Sequence, residues 1–434
     1  MKSVLDSLVE RARLAQPEVA TIGIDGRLER AAKAAAALRR AAPAIIDSAV
    51  AEIGQPRRFA RREIESALDL LDALPVLAEA IRPAEVPAAA GRTILEWQPY
   101  GVVFGWHAAN SPVWVPTLVT QSALVSGNTV VSRPSGRAQA TTGLVLDALL
   151  SAWPTGAVVR ADLTAPEAQR LIVHPGIDVV VAHSSTETCK RHLALLGEAY
   201  AKGAPLRPYI PEASGNDPLL VLPGADLEVA AQATALAAFA NGGQLCMSAK
   251  RIIVARSEAE QFIAHLVRAT AALVMGDPGD EATDIGPLSD GPAREQARVA
   301  LAEALAAGGE LVVGDGERGA VFAPTIVRLP LDALQVDLWQ RESFAPLRSL
   351  VVADDVEHAI RLANDTAFGL GAAVFGGTPE DVARVRAARV VVDTSPLYQD
   401  AHLVVGGVGE SGLAGARPKI EQFVYARRVH YETP

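Results

Sequence analysis

From Asp25 to Ile81 apolar residues return every three or four positions, the spacing that lines one face of an α-helix, and Gly54 with Pro56 interrupts the run as helix terminators do. The pattern predicts at least two N-terminal helices. The stretch RPAEVPAAAG, Arg82 to Gly91, loses this period, and RTILEWQPY after it has the β-branched and aromatic content of a short strand. Together they read as an excursion between domains. Beyond Gly101 the short β-like runs GVVFGW, NTVVS, AVVRA, DVVVA, DPLLVL, KRIIVA and RSLVVA alternate with helical stretches such as Arg137–Ala152 and Leu227–Phe239. Such alternation implies parallel sheets joined by crossover helices. It persists through both halves without an internal repeat or a low-complexity tract, so two α/β domains are expected.

Size agrees with this division, because 434 residues exceed the roughly 250 to 300 that a single core organises. Half the residues are apolar and 21% are charged, enough to build a compact, soluble fold. A net charge of −10 and a pI near 5.4 leave no general positive surface, which argues against nucleic acid as a partner. The densest basic group, Arg57, Arg58, Arg61 and Arg62, falls in a predicted helix with Glu63 and Glu65 beside it and reads as a solvated face. The opening MKSVLDSLVERARLAQ is broken by charges, unlike a secretory signal, and no later run approaches membrane-spanning length. The expectation is cytoplasmic residence with no membrane contact.

Cysteine occurs only at Cys189 and Cys246, with neither a CxxC pair nor an HExxH helix, so no metal site is expected and any thiol function is catalytic. The segment FANGGQLCMSAKR, Phe239 to Arg251, places Cys246 after a glycine-rich loop and ahead of a basic strand. Glycines there let backbone N–H groups approach a reacting centre. A cysteine taken alone is more often a small hydrophobe, so the surrounding segments decide the reading. They are GVVFGWHAANSP (Gly101 to Pro112), PEASGNDP (Pro211 to Pro218), TDIGPL (Thr283 to Leu288), RESFAP (Arg341 to Pro346), NDTAFGLGAAVF (Asn364 to Phe375) and GGVGESGL (Gly406 to Leu413).

In this order, from about Asp25 to the C-terminus, these segments resemble the NAD(P)-dependent aldehyde dehydrogenase superfamily. The resemblance implies two Rossmann-like parallel-sheet domains plus a small oligomerisation β-element. Its division would be 1–84 and 101–211 for the cofactor, 212–418 for catalysis, and 85–100 with 419–434 for assembly into a homodimer or homotetramer, Gln422–Tyr431 adding an edge strand to a neighbour. It also implies Cys246 as the nucleophile, Glu212, 34 residues earlier, as general base, and Asn110 as the side chain that holds the oxyanion with the Cys246 N–H. Glu342 and Phe344 match the positions that hold the nicotinamide ribose. An aldehyde would pass through a thiohemiacetal and a thioester on Cys246 to a carboxylic acid.

No GxGxxG follows any of these strand-like runs, and the segments matching the family's cofactor contacts depart from its pattern. SRPSGR, Ser132 to Arg137, has Arg133 for a lysine and Gly136 for a glutamate that in the family binds the adenosine ribose, with Ser135 between them. Loss of that carboxylate beside two arginines favours acceptance of NADP as well as NAD. His107 is placed facing the ribose. HSSTETC, His183 to Cys189, has serine at 184 and cysteine at 189 where the family has glycines, with Ser185 at the helix start near the pyrophosphate. By family position Ser111, Val115, Leu118, Leu245, Met247 and His402–Val405 line the substrate tunnel, which suggests a mostly apolar small-molecule aldehyde without a dedicated charge clamp. Two alternatives stay open: an enzyme that passes the acyl group to CoA or a carrier thiol, and a non-catalytic member.

Overall fold

A computed structural model describes residues 3–288, 291–318, 321–398, 400, 406–413, 415 and 419–432. Three helices open the chain: α1 (Val4–Thr21), α2 (Ile24–Ile53) and α3 (Arg57–Ala78). The terminators act as their chemistry dictates, with Gly54 left-handed at φ 65 closing α2 and Pro56 immediately preceding α3. Helix α1 is one more than the apolar period predicts. Its charges lie on the outer side of an amphipathic helix that buries Leu5, Val9, Ala12, Ala15 and Val19, started by a capping box between Ser3 and Asp6.

All seven β-like runs form strands, and they fall into two sheets. The first is a five-stranded parallel sheet in the order Val158–Arg160, Thr129–Arg133, Val102–Trp106, Val179–His183, Tyr209–Glu212. Helices α1 to α3, α4 (Trp114–Val125) and α5 (Gln139–Leu150) pack around it. The second has seven strands in the order Glu310–Val313, Thr325–Arg328, Leu347–Ala353, Arg251–Ala255, Pro218–Val221, Gly371–Phe375, Arg389–Val392, parallel except for the first pair. Their central strands are buried on both faces, which is why they read as unbroken apolar runs and not as alternating ones.

The predicted excursion is a third, antiparallel sheet, Ala84–Val86 on Arg92–Pro99 on Val424–Tyr431. The last strand pairs within its own chain along its whole length, from Val424 opposite Pro99 to Tyr431 opposite Arg92, and among the described residues its other edge has no strand beside it, the edge that would be added to a neighbour. Among the described residues, no helix is long and apolar enough to cross a membrane, and no group of three His, Cys, Asp or Glu is placed to hold a metal.

Candidate active site

The two parallel sheets meet so that the C-terminal ends of the first face the N-terminal ends of the second across a cleft of about 1170 Å³. Strand ends in an open parallel sheet present their connecting loops, and ligand sites form there. The loops after Trp106, Arg133, His183 and Glu212 enter the cleft from one wall, and the loop before Arg251 enters from the other.

That second loop carries Cys246. Helix α8 (Leu227–Phe239) stops where Asn241, Gly242 and Gly243 turn left-handed at φ 53, 63 and 73. Gly243 is needed twice over, since a Cβ there would lie 2.4 Å from the Ala345 carbonyl oxygen. Gly215 presses on the loop from the opposite side, where a Cβ would lie 2.2 Å from the Cys246 carbonyl oxygen. Two buried cations hold the loop from beneath. Arg348 donates to the Gly243 carbonyl at 3.0 Å and to Ser248 Oγ at 3.1 Å, and Lys250 Nζ donates to the carbonyls of Leu245 at 2.6 Å and Cys246 at 2.8 Å. Burial pushes the Cys246 thiol up to about 11, with Glu342 and Asp217 adding to the rise and Lys250 and the Met247 N–H opposing it.

Glu212 ends its strand opposite His183, and its carbonyl accepts the Ser184 N–H at 3.1 Å, so the carboxylate stands on a rigid element, buried, in the wall facing Cys246. Asn110 is tied to the nucleophile loop in both directions. Its amide donates to the Gln244 carbonyl at 3.0 Å, and its own carbonyl accepts from the Asn241 amide at 3.2 Å. An amide nitrogen has two hydrogens, which leaves one for a ligand oxygen.

The other expected contacts spread along the same cleft. Arg133 lies with its guanidinium carbon 4.4 Å from the Trp106 ring centroid and its Nε on the Leu163 carbonyl at 3.3 Å, while Arg137 is exposed at the rim. Ser135 lines the cleft, Gly136 does not, and a Cβ at Gly136 would meet nothing within 4 Å. His107 is buried, its Nε2 2.7 Å from Ser132 Oγ, and burial beside Arg133 lowers it to about 3, so it stands neutral. Ser185 caps α7 (Thr186–Ala201) by accepting the Thr188 N–H, and Ser184 lines the cleft beside it. Cys189, a turn further on, is buried away from the cleft, against Tyr209. Phe344 and Glu342 line the wall beside Cys246, and Glu342 Oε1 accepts the Gly215 N–H at 3.1 Å and lies 3.4 Å from Lys250 Nζ. Ser111, Val115, Leu118, Leu245 and Met247 also line the cleft, whereas His402–Val405 lies outside the described residues.

Several lining residues escape sequence reasoning. Phe59, Arg62, Glu63 and Ser66 stand at i, i+3, i+4 and i+7 on α3, one helical face turned into the cleft. Of the basic group, Arg58, Arg61 and Arg62 are exposed, as a solvated face requires, and Arg57 is half-buried. Arg57 pairs with Asp47 on the preceding helix, Arg58 and Arg61 pair with Asp284 and Glu281, acids remote in sequence, Arg62 makes no ion pair among the described residues, and Glu63 is buried. The helical spacing was readable from the start, but nothing in it marks that face as the lining of a site. Arg62 also puts a cation where no charge was expected.

Comparison with known proteins gives the chain's family and fold. The profile of the Aldehyde dehydrogenase family matches residues 2–428. Vanillin dehydrogenase of Pseudomonas fluorescens is 31% identical, covering 98% of this chain and 89% of that protein. Succinate semialdehyde dehydrogenase of Escherichia coli strain K12, named for NAD(P)+, is 30% identical, covering 90% of this chain and 84% of that one. Among solved structures, indole-3-acetaldehyde dehydrogenase with NAD+ superposes with a TM-score of 0.92 at 24% identity, over 99% of this chain and 89% of that one, and shares the fold. A family profile matched across nearly the whole chain, over the fold described above, establishes that the protein belongs to the aldehyde dehydrogenase family.

Proposed function

We propose that the protein oxidises an aldehyde to a carboxylic acid with NAD or NADP, using Cys246 as nucleophile, Glu212 as general base and Asn110 as oxyanion donor. The observation that carries this reading is the convergence of these three side chains, from three separate segments, on one cleft. Attack of the Cys246 sulfur on the carbonyl carbon forms a thiohemiacetal, whose oxygen is held by the Asn110 amide and the Cys246 N–H. A preorganised donor of this kind contributes about 3 to 4 kcal/mol. The nicotinamide, when bound, supplies the hydride acceptor that turns the adduct into a thioester. Glu212 then takes a proton from the water that cleaves it, returning the thiol and releasing the acid.

The cleft suits a dinucleotide. The N-terminus of α7 turns its positive end to the cleft, although the Thr186 and Thr188 N–H groups already donate to Ser214 and Ser185, and the opening at Gly136 leaves room beside Arg133 and Arg137 for a 2′-phosphate, which supports acceptance of NADP. The middle of the tunnel is apolar at Val115, Leu118, Leu245 and Met247. We assign residues 1–84 and 101–211 to cofactor binding, 212–418 to catalysis, and 85–100 with 419–434 to assembly of a dimer or tetramer. Cytoplasmic residence completes the reading.

Glu212→Gln separates hydrolysis from transfer to a thiol. Stopped-flow absorbance should show one equivalent of NAD(P)H per site in a burst, then steady turnover lowered about 10²- to 10⁴-fold. Unchanged turnover in this variant, or acid production that depends on added CoA, overturns the assignment.

A further inference from the structure

Directly beneath Cys246 lies a charged residue that the chemistry above does not use. The Lys250 side chain is 2% exposed, and its ammonium is held by the two peptide carbonyls at the nucleophile, Leu245 at 2.6 Å and Cys246 at 2.8 Å. An ammonium is strongly hydrated, and burying it is expensive unless partners replace the water. Here two of the partners are neutral carbonyls, and the nearest carboxylate, Glu342, stands at 3.4 Å and shares the same oxygen with the Gly215 N–H. The cation is thus only partly neutralised, and it sits four residues from the sulfur.

The other charged groups at this spot are each turned elsewhere or opposed to it. Asp217 leads into the strand Pro218–Val221, where burial pushes its carboxyl up to about 7 and Lys250, the Gly371 N–H and Arg389 oppose the rise only in part. Arg348 spends its guanidinium on the carbonyls of Gly243, Ser343, Ala345 and Leu347, and Arg251 spends its own on those of Asn216, Leu362 and Ala363. Glu212 lines the same cleft as Cys246. Of the charges that act on the sulfur, Lys250 and, as a weaker partner, Arg389 favour the anion, whereas Glu342 and Asp217 disfavour it.

We propose that Lys250 and Glu342 form an opposed electrostatic couple beneath Cys246, in which Lys250 is the positioning residue that stabilises the thiolate and Glu342 the carboxylate that restrains it. The burial that pushes the thiol up makes this consequential, because each pH unit of displacement changes the thiolate fraction about tenfold. The inference deepens the nucleophile assignment of the preceding subsection, yet it concerns the thiol in the ligand-free protein.

The test is the rate of alkylation of Cys246 by iodoacetamide, a neutral reagent, followed by mass spectrometry of its peptide from pH 6 to 10 in ligand-free full-length protein, a range below the thiol's midpoint in which the rate tracks the thiolate fraction. Lys250→Met should slow the reaction about tenfold at each pH, the equivalent of a rise of about one pH unit. Glu342→Gln should speed it by a similar factor, and the double variant should fall between them. A purely structural role for both residues moves both single variants in the same direction, or neither, and either result overturns the proposal. If Lys250→Met does not fold, Glu342→Gln decides alone, and an unchanged or lowered rate is then the refuting result. Neither aldehyde nor cofactor enters the assay, so opposite shifts in a protein without dehydrogenase activity would remove the functional reading and leave the couple in place.

Discussion

Gly136 separates Arg133 from Arg137 without filling the space between them, and that absence of a side chain bears on which dinucleotide the cleft accepts. Arg133 is committed to the Trp106 ring and the Leu163 carbonyl, whereas Arg137 is exposed at the rim, so Arg137 is the better placed of the two to meet a 2′-phosphate. Arg137→Ala should lower kcat/KM for NADP about tenfold, the size of one charge-assisted contact, with little change for NAD. Steady-state kinetics with both cofactors checks this, and equal losses for the two would count against a phosphate contact. At this scale the sequence was informative wherever a residue stands inside a longer run. Cys246, Glu212 and Asn110 were legible from their segments, but Lys250 was not. Its importance comes from what lies above it in the fold, and in sequence it is one more lysine at the start of a strand.

Helix α3 shows how one element supports another. Glu63 projects from it to the start of α4, where its carboxylate accepts the N–H groups of Val113 and Trp114 at 3.0 and 2.9 Å and the Ser111 hydroxyl at 2.7 Å, while Gln55 donates to its other oxygen. The first turn of a helix leaves such N–H groups unpaired and carries partial positive charge, so a carboxylate caps it. Burial nevertheless raises Glu63 above the usual carboxylate range, with these donors pulling it back. Because Asn110 immediately precedes this turn, Glu63 fixes the approach of the proposed oxyanion donor. Glu63→Ala should destabilise the fold by about 2 to 3 kcal/mol in denaturant titration and reduce kcat more than it raises KM. Glu63→Gln, which keeps an acceptor, should lose clearly less, and parity between the two would show that the cap contributes little. The apolar period predicted α3 correctly. What its charges do was hidden, because Asp284 and Glu281 are brought to it only when the two halves of the chain pack together.

For the whole molecule, seven of the twelve strands in the two parallel sheets were readable, since strands buried on both faces advertise themselves as apolar stretches, whereas Tyr209–Glu212, Glu310–Val313, Thr325–Arg328, Gly371–Phe375 and Arg389–Val392, short and carrying Gly, Pro, Glu or Arg, were not. Sheet order was not readable, because it depends on crossover geometry and not on local pattern. The same limit left unread which strand Val424–Tyr431 joins within its own chain, namely Arg92–Pro99. Among the described residues no strand pairs the outer edge of Val424–Tyr431, which is flanked by the exposed Tyr425 and Tyr431, and an open edge of this kind invites a second chain. Analytical ultracentrifugation should find a dimer or tetramer, and Tyr425→Asp with Tyr431→Asp should shift it towards the 45.4 kDa monomer. A wild-type protein sedimenting at 45.4 kDa at micromolar concentration would exclude the assembly reading. The ion pair that closes the three-stranded sheet, Arg427 with Glu96, joins positions 331 residues apart. At ordinary translation rates the ribosome needs roughly 15 to 65 s to cover that distance, and throughout it Arg92–Pro99 has only the short strand Ala84–Val86 beside it. Nascent chains are therefore vulnerable during this interval to joining one another at the wrong ribbon, a hazard that a slower-growing or chaperone-rich expression host would lessen.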